Sequence, residues 1–221
     1  MAVLVAIDGY WKGRRQDLSV ELATWQIQGA WRGFRVKLKN RGLCGVEFVL
    51  SDEHAGLKKT ISEVLTDTAW QRGHVHCLRN MLDYLPRKAD DDRLQELRRI
   101  YNPAPTPRRY SASSPCGLGK WQAKYPKLVD WAETNIGETL AFYRLPRAHH
   151  KHLKSTNMLE RPNEEVKRRK RVARIFPDTE SCLRLIRALC LETHETWLAD
   201  SPYLNITLLA EHKKALLRLA A

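Results

Sequence analysis

Residues 45–59 read GVEFVLSDEHAGLKK. The apolar run ending at Leu50 has the length and composition of a short buried strand, while Leu57, Ile61, Val64 and Leu65 recur at helical spacing. Asp52 falls at the junction. An acid there is either a first-turn residue that stabilises the helix following Ser51, or a carboxylate presented at a strand end for chemistry. Upstream, AVLVAI (residues 2–7) is a continuous apolar run, YWKGRRQ has turn character around Gly13, and Leu18, Val20 and Leu22 share one face at period two, which together read as a β-hairpin. GAWRGFRVKLKNRG spaces Trp31, Phe34 and Leu38 as a helix with Gly42 at C′, and AWQRGHVH (69–76) reads as a further extended piece. The order β-β-α-β-α-β implies an α/β fold, a mixed sheet with helices packed on it.

The chain has 221 residues, 43% of them hydrophobic, enough for a real core, and a formal net charge of +13. That excess gathers at KSTNMLERPNEEVKRRKRVAR (154–174) and around GLKK and LPRK, and it favours a polyanionic partner. No run approaches the apolar length of a membrane span, and MAVLVAID is too short and uncharged for a signal peptide, so the expectation is a cytoplasmic protein with no membrane partner. The cysteines, Cys44, Cys77, Cys116, Cys182 and Cys190, are odd in number and lack paired metal-ligand spacing, as suits a reducing compartment.

Past Arg79 the texture changes. DDDRLQELRRIY (90–101) is helical, with Leu94, Leu97 and Tyr101 on one stripe. NPAPTPRRYSASSPCGLG (102–119) is a Pro/Ser-rich connector, and helical character resumes with Trp121, Tyr125, Leu128, Trp131 and Ile136 as core candidates. A basic helix starts near Asn157, and a second one buries Leu183, Ile186, Leu189 and Cys190. The organisation expected is a core part at 1–78, a helical insertion at 79–148 and a C-terminal helical part of the core at 149–221.

Three stretches, VEFVLSDEHAGLKK (46–59), WQRGHVHCLRN (70–80) and STNMLERPNEEVKRRKR (155–171), match as a set the patterns V-x-S-D-x-x-x-G-L, W-Q-R-C-x-x-H-x-x-R-N and T-N-x-x-E-R-x-N. In these the chain resembles the Mutator-type transposases of bacterial insertion sequences. The resemblance implies a ribonuclease-H-like fold and three acids (DDE) that hold two Mg²⁺ or Mn²⁺ ions for DNA strand cleavage and transfer. It makes Asp52 the second acid and Glu160 the third, both catalytic and metal-holding. Two-metal phosphoryl transfer wants such carboxylates from separate elements, holding cations about 3.5–4 Å apart. Lys58, Lys59, Lys154, Arg161, Lys167, Arg168, Arg169, Lys170 and Arg171 would then hold the DNA backbone of element ends and target. A homodimer or an intact transposase is a further expected partner, and a nucleoid-associated location follows from the DNA.

Plainer readings stand beside these. Asn157-x-x-Glu160 is close to a capping box, with Glu160 at N3. His76 sits at the motif's histidine, but Gly73 takes the place of its cysteine, which makes His76 a surface or packing residue rather than half of a zinc or redox pair. Asp90, Asp91 and Asp92 read as a helix N-terminus. His149, His150 and His152 read as lying beside DNA or solvent, and Trp11, Trp25 and Trp31 as core or hairpin aromatics.

Departures from the pattern point to an N-terminally truncated, degenerate copy. The resemblance puts the first acid on a strand before the one matching VLVAID, at the sheet centre between the hairpin and the strand ending at Asp52, and Asp8 is out of register for it. Pro162 stands where the pattern has an apolar residue, at a cost of about 3 kcal/mol inside a helix unless the helix starts there. The connector stands where the pattern continues a helix, as compensating frameshifts would produce. Two functions follow: a transposase domain, catalytic by descent and inactive alone, or a non-catalytic remnant that binds DNA or an intact transposase. An RNA-binding protein is weakly supported, because no RNA module is recognised.

Overall fold

A computed structural model describes residues 2–9, 13–23, 28–86, 121–173, 176 and 178–220. The expected helix at 90–101, the connector, the Asp90–Asp92 run, Trp11 and Trp25 lie outside them. Two strands, β1 (Ala2–Gly9) and β2 (Arg15–Ala23), pair antiparallel, with a register slip that leaves Leu18 between the paired residues Asp17 and Ser19. The turn needs Gly13, which has φ 73°, and a Cβ there would strike the Leu204 carbonyl oxygen at 1.8 Å. Leu4 packs on Phe34 and Leu38 of α1 (Gln28–Asn40). Helix α1 stops as its sequence predicts. Gly42, with φ 100°, donates to the Lys39 carbonyl, and Leu43 donates to the Leu38 carbonyl and joins the same apolar cluster.

The stretch that opened the reading folds as expected. Strand β3 (Phe48–Ser51) runs into α2 (Ala55–Val64), which crosses over to β4 (Ala69–Arg72), parallel to β3 in a register from Phe48 opposite Ala69 to Ser51 opposite Arg72. Gly56 is fixed by packing, since a Cβ would lie 3.0 Å from Gln28 Cα of α1. The extended reading of AWQRGHVH fails after Arg72. Gly73 N–H donates to Ser51 O as one last ladder step, and α3 (His74–Leu82) then begins, because Cys77, Leu78 and Met81 form an apolar face. They share a core with Trp121, Leu128, Val129 and Ala132 of the region around α4 (Pro126–Asn135), and with Ile136 and Phe142 from the short 3₁₀ turns that follow. Each large side chain buried there contributes about 1.5–3 kcal/mol.

The sheet is a correction. In place of one mixed sheet, the four strands form two separate two-stranded sheets, so among the described residues β1 pairs only with β2 and β3 only with β4. The hairpin is secured from the other side, by α6 (Thr179–Ala199) and the chain after it. The Arg15 guanidinium lies 4.9 Å from both the Trp197 and Tyr203 rings, and Asp17 N–H donates to His194 Nδ1 at 3.2 Å. Of the face predicted on α6, Ile186, Leu189 and Cys190 are buried and Leu183 is only half-buried. A last helix, α7 (Ile206–Ala220), is absent from the sequence reading. His149 is also corrected. It is 2% exposed, its Nε2 accepts from Asn205 N–H, and burial lowers its pKa; His150 packs edge-on against Phe142 and Tyr143.

Helix α5 (Asn157–Ala173) runs through Pro162 without restarting. Its first-turn N–H groups, from Leu159 and Glu160, donate to the Thr156 carbonyl at 2.7 and 3.1 Å, so Thr156 occupies the N-cap and Asn157 is already inside. This removes the capping-box reading of Glu160, and Pro162 leaves the Met158 carbonyl without its i+4 donor. Pro162→Leu should therefore stabilise the protein by about 1–3 kcal/mol, read as a rise in thermal unfolding temperature. An unchanged midpoint would mean that the helix accommodates the proline without strain.

Candidate active site

Strand β3 ends at Ser51, and the parallel ladder holds that end rigidly, with Trp70 Nε1 donating to Ser51 Oγ at 2.9 Å. Asp52 is the next residue. Helix α2 has its N-cap at His54 and no acid in its first turn, so Asp52 lies outside the helix and does not serve its dipole. Its carboxylate instead meets two other elements. Thr156 Oγ1 donates to Asp52 Oδ1 at 3.0 Å across 104 residues of sequence, and His76 Nε2 of α3 lies 3.0 Å from the same oxygen. Glu160 arrives from one turn into α5, with its Oε1 3.8 Å from His76 Nε2. That Oε1 is buried and has no hydrogen-bond partner, an arrangement that costs free energy unless something else engages it.

The neighbouring acid is engaged elsewhere. Glu53 is bonded to the buried Arg72 guanidinium and accepts from Asn80 Nδ2 at 3.0 Å. Asp8 faces Gly9 and Gln16, and burial raises its pKa. The structure thus brings Asp52 and Glu160 together, as the sequence expects, and adds His76 and Thr156 between them. His76 is half-exposed, and the reading of it as a surface or packing residue missed its contact with both acids. The histidine position in the W-Q-R motif and the threonine that opens T-N-x-x-E-R were the available signals. Pattern alone attached no contact to either.

As a cation site the pair offers hard carboxylate oxygens, one held in place and one unpartnered, which fits Mg²⁺ or Mn²⁺. Mg²⁺ is commonly held by one or two carboxylates plus substrate phosphates and water. Among the described residues no group of three His, Cys, Asp or Glu side chains forms a closed metal cage. Residues expected at the DNA backbone divide. Lys59, Arg161, Lys167 and Arg171 are exposed, and Lys154 is half-buried. Lys58 is paired with Glu138, while Arg168 and Arg169 both bond Glu165 at 2.7 Å, which holds the Glu165 carboxyl down at about 2. Exposed pairs of this kind are weak enough to be exchanged for phosphates. The Lys170 side chain lies outside those described.

The profile described as "Transposase, Mutator family" matches residues 1–200. The chain is 57% identical over its full length to the transposase for insertion sequence element ISRM5 of Rhizobium meliloti (strain 1021), covering 55% of that protein. It is 40% identical, over 92% of its length and 53% of the relative's, to the transposase for IS406 of Burkholderia multivorans. The transposase for IS256 in transposon Tn4001 of Staphylococcus aureus is 34% identical over 87% of the chain and 50% of its own length. The chain therefore spans about half the length of the curated relatives it matches. With a profile match over most of its residues and relatives well above 30% identity, the chain belongs to the Mutator family of transposases.

Proposed function

We propose that the chain carries part of the DNA strand cleavage and transfer centre of a bacterial insertion-sequence transposase, built on a ribonuclease-H-like core and working by two-metal DDE chemistry. The observation that carries this is the meeting of Asp52 and Glu160, from a strand end and a distant helix, at one histidine. Bound divalent ions would supply stabilisation for the attacking and leaving oxygens of the phosphoryl transfer. Asp52 and Glu160 would hold them, Thr156 and His76 would orient Asp52, and the basic residues of α2 and α5 would hold the DNA backbone. Residues 79–148 would be the helical insertion between the second and third acids. The first acid is expected on a further strand between β1 and β3, a reading supported by the division of the strands into an antiparallel and a parallel pair.

Two acids alone leave the cations under-coordinated, so the polypeptide 1–221 should bind DNA without transferring strands. The second reading is a non-catalytic DNA-binding or transposase-binding form of the chain, supported by the exposed Lys59, Arg161, Lys167 and Arg171. A strand-transfer assay with Mg²⁺ or Mn²⁺, on DNA bearing the element's ends, tests the argument. Activity in 1–221 that Asp52→Ala abolishes would overturn it and require another acid, such as Asp8.

DNA binding is expected to be salt-dependent and nearly indifferent to sequence. If Lys59, Arg161, Lys167 and Arg171 each neutralise a phosphate, log K against log [salt] should fall with a slope of about −4. Titrations of unrelated duplexes at several salt concentrations measure it. A flat salt response, or strong preference for one duplex, would exclude this basic face as the DNA contact.

A further inference from the structure

We infer that Thr156 is a positioning residue that couples the two acids, an inference that rests on the reading of Asp52 and Glu160 as the metal-holding pair. Two different atoms of this one residue reach the two sides of the site. Its hydroxyl donates to Asp52 Oδ1, and its carbonyl accepts the N–H of Glu160 and so fixes the turn from which the second carboxylate projects. A threonine at an N-cap ordinarily spends its hydroxyl oxygen on its own helix. Here the hydroxyl hydrogen is directed across to the strand end.

The surroundings are built to keep it there. Thr156 is 3% exposed, which shields its bond from competing water. His74 N–H donates to the Lys154 carbonyl at 3.0 Å, pinning the turn before Thr156 to the start of α3. Gly73 forms the adjoining wall: a Cβ there would lie in ordinary van der Waals contact, 3.4 Å from Thr156 Oγ1 and 3.5 Å from His76 Cδ2. With Oδ1 accepting from Thr156 and lying 3.0 Å from His76 Nε2, Oδ2 is the oxygen left for a cation. Partners that orient a ligand in this way commonly matter 10- to 100-fold for metal affinity.

The test uses Mn²⁺ alone, titrated into the 221-residue protein, with free Mn²⁺ read by electron paramagnetic resonance. Thr156→Val, which keeps the branched shape and removes the hydroxyl, should weaken Mn²⁺ binding about tenfold, and Thr156→Ser should restore it to within about twofold of the wild type. Thermal unfolding without metal measures any purely structural cost separately. Wild-type affinity in Thr156→Val, whatever its stability, overturns the inference; so does an equal loss in the Val and Ser variants, which would assign the effect to packing. The acid-pair reading is judged by different proteins. Mn²⁺ binding that survives Asp52→Asn and Glu160→Gln, or that is absent from the wild type, overturns that reading and the inference with it.

Discussion

Asp52→Asn, and separately Glu160→Gln, should lower metal-dependent strand cleavage at least about a hundredfold while leaving DNA binding intact. Removing a group that merely orients a metal ligand costs 10- to 100-fold, so removing a ligand's charge should reach the top of that range or pass it. Both substitutions keep the side chain's size and hydrogen-bonding reach, which separates loss of charge from loss of packing. Asp52 has 55% of its side chain exposed, so its replacement should barely change stability. The measurement belongs in a chimaera in which residues 1–221 replace the matching half of the ISRM5 transposase, with which they align over 220 residues. Activity within about threefold of the parent chimaera in either variant would remove that residue from the reaction, since an effect so small lies below even the orienting range. If Asp52 alone proved dispensable, Glu53 would be the acid to examine next, once released from Arg72.

The fold was legible where periodicity is local. The hairpin, α1 with its Gly42 stop, β3 and α2 all follow from spacing and turn chemistry within a dozen residues. What sequence could not supply was pairing between elements, since strand neighbours are set by tertiary packing; the two separate sheets are a fact of that kind. His149 shows the same boundary. A cluster of histidines beside lysines reads as a polar surface, yet Asn205 arrives from far along the chain to bury it. In the site, the motifs singled out Asp52 and Glu160 as a pair, and the helix-capping readings of both fail on geometry. The α2 N-cap is at His54 and the α5 N-cap at Thr156, which leaves neither acid a capping role. The roles of Thr156 and His76 required coordinates because each acts only through a residue from another element.

The W-Q-R stretch shows how a motif can serve a site without touching it, and it sets the largest expected stability effect. Arg72 is 0% exposed at the last position of β4. Its guanidinium bonds Glu53, donates to Asn135 Oδ1 at 3.2 Å, approaches Glu138 at 3.9 Å and lies 5.3 Å from the Trp131 ring. Gln71, equally buried, donates to the Thr139 carbonyl at 2.6 Å and accepts from Phe142 N–H at 3.0 Å. Together they fasten the β3–β4 pair, and with it the backbone that presents Asp52, to the segment 135–142. Breaking a buried pair by removing one partner costs about 3–5 kcal/mol, because the other is left uncompensated. Glu53 keeps 45% and Glu138 27% of its side chain exposed, so water can recover part of that, and Arg72→Met should cost about 3 kcal/mol. Arg72→Lys keeps the charge but loses the planar fork and the stacking on Trp131, so it should fall between Met and the wild type. Urea unfolding measures both. A second change, Glu53→Gln in the Met background, should return about 1 kcal/mol or more, because it removes the carboxylate that the first change strands. Failure of that recovery, with Arg72→Met still costly, would locate the loss in the cavity beside Trp131 and not in the ion pair. A cost below about 1 kcal/mol for Arg72→Met would instead show that this hub does not fasten the β3–β4 pair to the segment 135–142.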